Sequence, residues 1–257
     1  MADVSDEDAY KQDGPVAQKI AEVTPYYKFK GIPRFYDIGG FTQRPDIFQL
    51  VVDTFVSRYK DKGITSIGGF DARGFVLGPP IALALKLPFF MLRKPGKMPN
   101  SISSSSYKVE YGSRDGMCIP RGHPLDKADP SKKSSVVKAG DKVLLIDDLV
   151  ATGGTLAAGI ELVQMMGAEV FECACVVELK MFIDPPPETG LPSRKKSWTE
   201  KGIASVPCVP TFRASNGRLP GVMRERFFLG LSLPITSRLT RSVCIVASHA
   251  SQGVGTG

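Results

Sequence analysis

A short apolar run, Val143 to Ile146, is followed at once by two carboxylates, Asp147 and Asp148, and then by Ala151, Thr152, Gly153, Gly154 and Thr155. No charge interrupts the run, as expected of a strand buried on both faces of a parallel sheet. Leu156 to Met166 is apolar at roughly helical spacing. The order strand, acidic pair, small-residue loop, helix has a physical purpose. Glycines let backbone N–H groups approach an anion closely, and the helix that follows turns its positive end to the same point. Thr152 and Thr155 can add hydroxyl donors. The carboxylates cannot hold a phosphate, so they suit ribose hydroxyls or a magnesium ion bridging to them. The loop lacks the lysine and the glycine spacing of the nucleotide triphosphatase P-loop. A bland alternative is an ordinary strand-to-helix turn with an N-cap threonine, but the carboxylates sit where the crevice of such a sheet opens.

At 257 residues the chain is long enough for one large domain, or a domain with an appendage. It contains no long uninterrupted apolar run of the length a membrane span needs. Met1 to Asp8 carries four acidic residues and no basic one, unlike a secretory or transit peptide. The five cysteines show neither C-x-x-C nor metal-ligand spacing, and His123 and His249 are the only histidines. A zinc site or a histidine-based triad is therefore not expected, and a reduced, cytoplasmic protein is. Cys173 and Cys175 read as buried packing residues. The net charge of +7 hints at nucleic acid, but its distribution argues otherwise: Lys180 to Gly257 holds 11 basic and 4 acidic residues, which accounts for the whole excess.

Met1 to Gly14 is polar, and a helix is expected from about Pro15 to Val23. Ile32 to Ile38 reads as extended, because Pro33 biases its predecessor away from helix. The next helix runs from about Pro45 to Tyr59, with Ile47, Leu50, Val51, Phe55 and Val56 on one face. Ile64 to Phe70 and Pro88 to Leu92 read as strands flanking a helix from about Phe75 to Leu85. Such a unit is a parallel crossover. It places the turn Asp71 to Gly74 on the same sheet edge as Asp147 and Asp148, and Arg73 there is well placed for an anion. Arg93 to Pro99 is basic and turn-rich, Ser101 to Ser106 is serine-rich, and Tyr107 to Gly112 alternates like a strand. This segment reads as a loop returning as a short hairpin. Val170 to Leu179 is a further strand.

Five stretches together resemble the adenine branch of the type I phosphoribosyltransferases. They are Ile32 to Ile38, Gly69 to Phe75, Arg93 to Pro99, Tyr107 to Gly112 and Val143 to Thr155. The last alone identifies only the broader family; Arg93 to Pro99 and Tyr107 to Gly112 single out the adenine branch. The resemblance implies transfer of a phosphoribosyl group from phosphoribosyl pyrophosphate to adenine, giving AMP and pyrophosphate, with Mg2+ as cofactor and a homodimer as the assembly. It implies that Ala151, Thr152, Gly153, Gly154 and Thr155 cradle the 5′-phosphate while Asp147 and Asp148 hold the ribose hydroxyls and, through substrate, the metal. Arg73, Arg93, Lys94, Lys97 and Tyr111 would face pyrophosphate. Arg34, Phe35 and Tyr36 would form the adenine site, with Phe35 stacking on the base. Glu110, Arg73 and Lys97 are the catalytic candidates, with Glu110 as acid or base at adenine N7.

The expected fold is a doubly wound, mainly parallel α/β sheet of the type I phosphoribosyltransferase kind, with a small N-terminal hood and a mobile catalytic loop. Residues 1–28 form an N-terminal segment and helix, and 29–179 the phosphoribosyltransferase domain, with its hood at 29–44 and its loop at 93–119. Residues 180–257 are a basic tail without family resemblance. Two alternatives share the scaffold: a regulator that senses phosphoribosyl pyrophosphate, and a transferase for another base. The first is disfavoured by the short, acidic N-terminus, the second by the base-site stretch Arg34 to Tyr36.

Overall fold

The computed structural model describes residues 14–29, 32–104, 107–109, 112–114, 116–124, 133–134, 137–203 and 208–214. Helix α1 (Pro15–Glu22) leads into an antiparallel hairpin of β1 (Tyr26–Phe29) and β2 (Ile32–Tyr36), in which Tyr26 pairs with Tyr36 and Tyr27 with Phe35. A short helix, α2 (Gly39–Thr42), and the long α3 (Pro45–Tyr59) follow. Proline opens both α1 and α3, where its missing N–H is no loss. Then come β3 (Ser66–Phe70), α4 (Gly74–Leu85) and β4 (Phe89–Leu92).

An excursion of short strands follows: β5 (Ser101–Ser103), β6 (Tyr107–Val109), β7 (Gly112–Arg114), β8 (Cys118–Pro120), β9 (His123–Pro124) and β10 (Lys133–Ser134). β6 pairs with β7 as the hairpin that the alternating pattern predicts, and β5 pairs with β8 at its base. Arg93 and Cys118 close that base by exchanging backbone hydrogen bonds of 3.1 and 2.7 Å. The chain returns through β11 (Lys142–Val150), α5 (Gly154–Met165) and β12 (Glu169–Leu179). It continues to α6 (Arg194–Glu200) and β13 (Cys208–Ala214).

The central sheet has the order β13-β12-β11-β3-β4, and every neighbouring pair is parallel. Each interior strand therefore needs helices on both faces, and the residues of β11 show them by alternation. Leu144 and Ile146 join one core with residues of α1, α3 and α4, such as Ile20, Phe55 and Leu77. Val143 and Leu145 join a second core with Leu156, Ile160 and Val163 of α5. The chain winds from β3 outward to β4, then crosses to the other side of β3 and continues through β11, β12 and β13. The winding direction reverses between β3 and β11. In an open α/β sheet the ligand crevice lies beyond the carboxyl ends of the strands at that reversal.

Cys173 and Cys175 are fully buried, unoxidised thiols on the second core, in agreement with a packing role. No helix among the described residues is long and apolar enough to cross a membrane.

Candidate active site

β3 and β11 deliver their carboxyl ends side by side, so the turn after one faces the acidic pair of the other. The strand β11 continues through Asp147 and Asp148 to Val150, farther than the apolar run suggests. Register pairing with β12 explains the extension, since Asp147 lies opposite Cys175 and Val150 opposite Glu178. Gly74 opens α4 with its Cα against the neighbouring strand; a Cβ there would stand 2.6 Å from the Ile146 carbonyl oxygen. That closeness brings Arg73 to the acidic pair. Its Nη1 lies 3.0 Å from Oδ2 of Asp148. The contact is a charge pairing whose angle falls outside hydrogen-bond geometry, because Asp148 Oδ2 has no directed donor. Arg73 Nη1 also donates to the Tyr36 carbonyl oxygen at 3.4 Å, and its guanidinium lies 4.9 Å from the centre of the Phe35 ring.

The two carboxylates differ in surroundings. Asp148 is almost fully buried, whereas Asp147 is half-buried at the mouth of the crevice. Burial pushes the Asp147 carboxyl well above the usual carboxylate range, and the neighbouring charge of Asp148 pushes it further. Burial also raises Asp148, against the opposing pull of Arg73. Asp147 Oδ1 accepts a 3.0 Å hydrogen bond from the Asp148 N–H, which fixes the side chain against its own strand.

Beyond β11, Thr152 and Gly153 are buried, and Ala151, Gly154 and Thr155 are half-buried. Gly153 takes φ +75°, a left-handed conformation, and is the N-cap of α5. No side chain caps that helix and no acidic residue sits in its first turn, so its positive end is left for an external anion. On the opposite side of the crevice, Arg93 Nε lies 3.3 Å from Asp71 Oδ2, and its Nη1 donates to the Lys97 carbonyl oxygen at 2.9 Å. Lys94 and Lys97 are exposed on the same turn, where the Lys97 N–H donates to the Lys94 carbonyl oxygen at 3.1 Å.

In the hood, Phe35 is half-buried and makes a tilted contact with Phe29 at 5.2 Å. Tyr36 differs: its ring is 2% exposed and packs in the first core against Tyr26, so only its carbonyl faces Arg73. Arg34 lies in β2. Glu110 and Tyr111 lie outside the described residues. Among the described residues, no three or more His, Cys, Asp or Glu side chains gather into a metal cage. Two carboxylates beside an anion loop are instead what magnesium requires when substrate oxygens supply most of its ligands, so the donor set fits.

The phosphoribosyl transferase domain family matches residues 41–203, which is most of the chain. Adenine phosphoribosyltransferase 2 of Arabidopsis thaliana is 47% identical over 160 residues, covering 62% of this chain and 76% of that protein. The chain therefore belongs to the adenine phosphoribosyltransferase family. A family member from Pasteurella multocida is 46% identical over 145 residues, covering 56% of this chain and 73% of its own. Among solved structures, the Trypanosoma brucei adenine phosphoribosyl transferase in complex with AMP, pyrophosphate and ribose-5-phosphate superposes with a TM-score of 0.65. It is 30% identical, over 89% of this chain and 90% of that one.

The family match runs past Leu179 and takes in α6. Two residues there touch the anion loop and escape a reading of the sequence. Trp198 of α6 donates its indole N–H to the Gly153 carbonyl oxygen at 3.3 Å, and Arg194 is ion-paired with Glu178 of β12 beneath it. The available signal is small: Ser193 caps α6 by accepting the Lys196 N–H at 3.2 Å, and Trp198 is the single tryptophan.

Proposed function

We propose that this chain joins adenine to the anomeric carbon of phosphoribosyl pyrophosphate, giving AMP and pyrophosphate, as purine salvage in the cytoplasm. One observation carries the reading. A crevice at the sheet's winding reversal gathers paired carboxylates, Arg73 in contact with one of them, and an uncapped helix N-terminus. The reaction needs charges of both signs at one place. As the carbon–oxygen bond to pyrophosphate lengthens ahead of attack by adenine N9, positive charge grows on the ribose and negative charge on the leaving group. Asp147 and Asp148 would hold the ribose hydroxyls and face the sugar cation. Arg73, Arg93, Lys94, Lys97 and Tyr111 would take the pyrophosphate charge, and the loop from Ala151 to Thr155 the 5′-phosphate. When bound, magnesium would supply further positive charge at the pyrophosphate, held mainly through substrate beside Asp147 or Asp148.

The adenine site would be made by Phe35, with Arg34 and the Tyr36 backbone beside it. Arg73 rests on the Phe35 ring in the free protein, so this arginine would leave the ring as pyrophosphate draws it away. A homodimer is the assembly that the family resemblance implies.

Purified protein supplied with phosphoribosyl pyrophosphate and magnesium is expected to form AMP with adenine, and nucleotide from hypoxanthine or guanine at least about a hundredfold more slowly. A site that hydrogen-bonds the exocyclic amine leaves buried groups unpaired when that amine is replaced. Binding of phosphoribosyl pyrophosphate without turnover on any base would overturn the enzyme reading in favour of a sensor. Glu110 is the proposed acid or base at adenine N7. Glu110→Gln should lower kcat by about a hundredfold and flatten one limb of its pH profile, with KM for phosphoribosyl pyrophosphate little changed. An unaltered pH profile would assign the proton to another group.

A further inference from the structure

The anion loop is gripped from behind. The Gly153 carbonyl oxygen accepts two hydrogen bonds, from the Ala157 N–H at 2.9 Å and from the Trp198 indole N–H at 3.3 Å. A trans peptide is planar, with its C=O and N–H pointing in opposite directions. Holding the Gly153 carbonyl toward α5 and α6 therefore turns the Gly154 N–H the other way, away from the body of the helix, where an anion would sit. The first of these bonds belongs to any helix start. The second is supplied from outside, by α6.

The packing around that bond leaves no slack. A Cβ on Gly153 would meet Arg194 Cδ and Trp198 Nε1, each at 2.7 Å, so the glycine is required by space as well as by φ. Arg194 lies 5.8 Å from the centre of the Trp198 ring, and its guanidinium pairs with the buried Glu178 carboxylate. Trp198, Arg194 and Glu178 are 5%, 6% and 1% exposed. Glu178 stands on β12 opposite Val150, the last residue of β11 before the loop. The chain of contacts thus runs from the sheet through an ion pair and an aromatic ring to one peptide of the loop.

We propose that Trp198, seated by the Arg194–Glu178 pair, is a positioning residue for the 5′-phosphate, acting through the Gly153 peptide without touching substrate. This rests on the assignment of the loop to phosphate in the reading above. Trp198→Phe keeps an aromatic ring, a smaller one, and deletes the donor. In the full-length protein it should weaken ribose 5-phosphate binding, and raise KM for phosphoribosyl pyrophosphate, by about fivefold, the worth of one net hydrogen bond. The pyrophosphate affinity and KM for adenine should stay close to wild type, while the melting temperature falls because the smaller ring leaves a cavity. Calorimetric titration with ribose 5-phosphate and with pyrophosphate separately reads the difference. Equal weakening of both ligands would mean general loosening and overturn the proposal, as would unchanged ribose 5-phosphate binding. A wild-type protein that binds neither ligand would overturn the site reading, and the positioning role with it.

Discussion

Replacing Asp147 by asparagine is expected to cost activity and raise stability together. Asp147 is a half-buried carboxylate beside a second one, and among the described residues Arg73 contacts Asp148 directly. Its carboxyl is held well above the usual range by burial and by its neighbour's charge. The sign follows from proton uptake. Between the ordinary carboxylate pKa and the raised folded value, the folded protein holds a proton that the unfolded chain has released. Stability therefore falls as pH rises through that window, opposite to an ion-paired aspartate. Asparagine keeps the Oδ1 acceptor for the Asp148 N–H and removes the charge. A higher Tm than wild type at pH 8 is expected. The gain should shrink as pH falls and vanish only below the ordinary carboxylate range, where aspartate is protonated in both states. Transfer activity should drop by about a hundred- to a thousandfold, because in the proposed reaction that charge would face the sugar cation. Thermal melts at pH 5 and pH 8 beside the adenine assay test both halves. A lower Tm for the variant at pH 8 would show that the carboxylate stabilises the free protein.

That opposition between activity and stability explains why the acidic pair was legible from sequence. Two adjacent carboxylates directly after a fully apolar run disagree with their surroundings, and such disagreement often marks where a chain gives up stability for chemistry. Arg73 was legible for another reason: a parallel crossover must return both turns to one edge of the sheet, so placing β3 and β11 placed Arg73 with Asp148. The helix from Pro45 to Tyr59 showed in its apolar period and its opening proline. Tyr36 shows what a resemblance leaves open: it names the residue, and the structure sends its ring into the core and keeps its backbone beside Phe35, because alternate residues of a strand face opposite ways.

The region after Leu179 was illegible for physical reasons. α6 spans seven residues, too few for an apolar period to stand out, and Arg194 and Lys196 give it the look of a solvated segment. Arg194 is nonetheless buried, because Glu178 waits for it on β12. An ion pair across that distance in sequence leaves no local pattern. β13 takes its place by backbone pairing with β12, and a helical or alternating signature is not needed for that.

A chain ending at Leu179 should consequently fail to fold stably, although it keeps the strand, the acidic pair and the loop. Removing α6 leaves the Glu178 carboxylate without its cation, and breaking a buried pair in this way costs about 3–5 kcal/mol. Loss of the Trp198 ring uncovers Gly153 and the second core around Leu156, a further ~3–5 kcal/mol by comparison with deletion of other buried aromatic side chains. Deleting β13 strips the neighbour from β12, a long and almost wholly buried strand, and also removes a surface against which α1 packs. The combined loss matches the ~5–15 kcal/mol by which a domain of ordinary stability is folded. The exposed edge of β12, rich in Val and Cys, would then pair between chains. The truncated protein is expected to lose its cooperative thermal transition and to aggregate, whereas Trp198→Phe melts at a lower temperature than wild type but still cooperatively. Calorimetry and light scattering on the two side by side decide the matter. A truncated chain that melts cooperatively and binds ribose 5-phosphate as the full protein does would place α6 and β13 outside the folding unit.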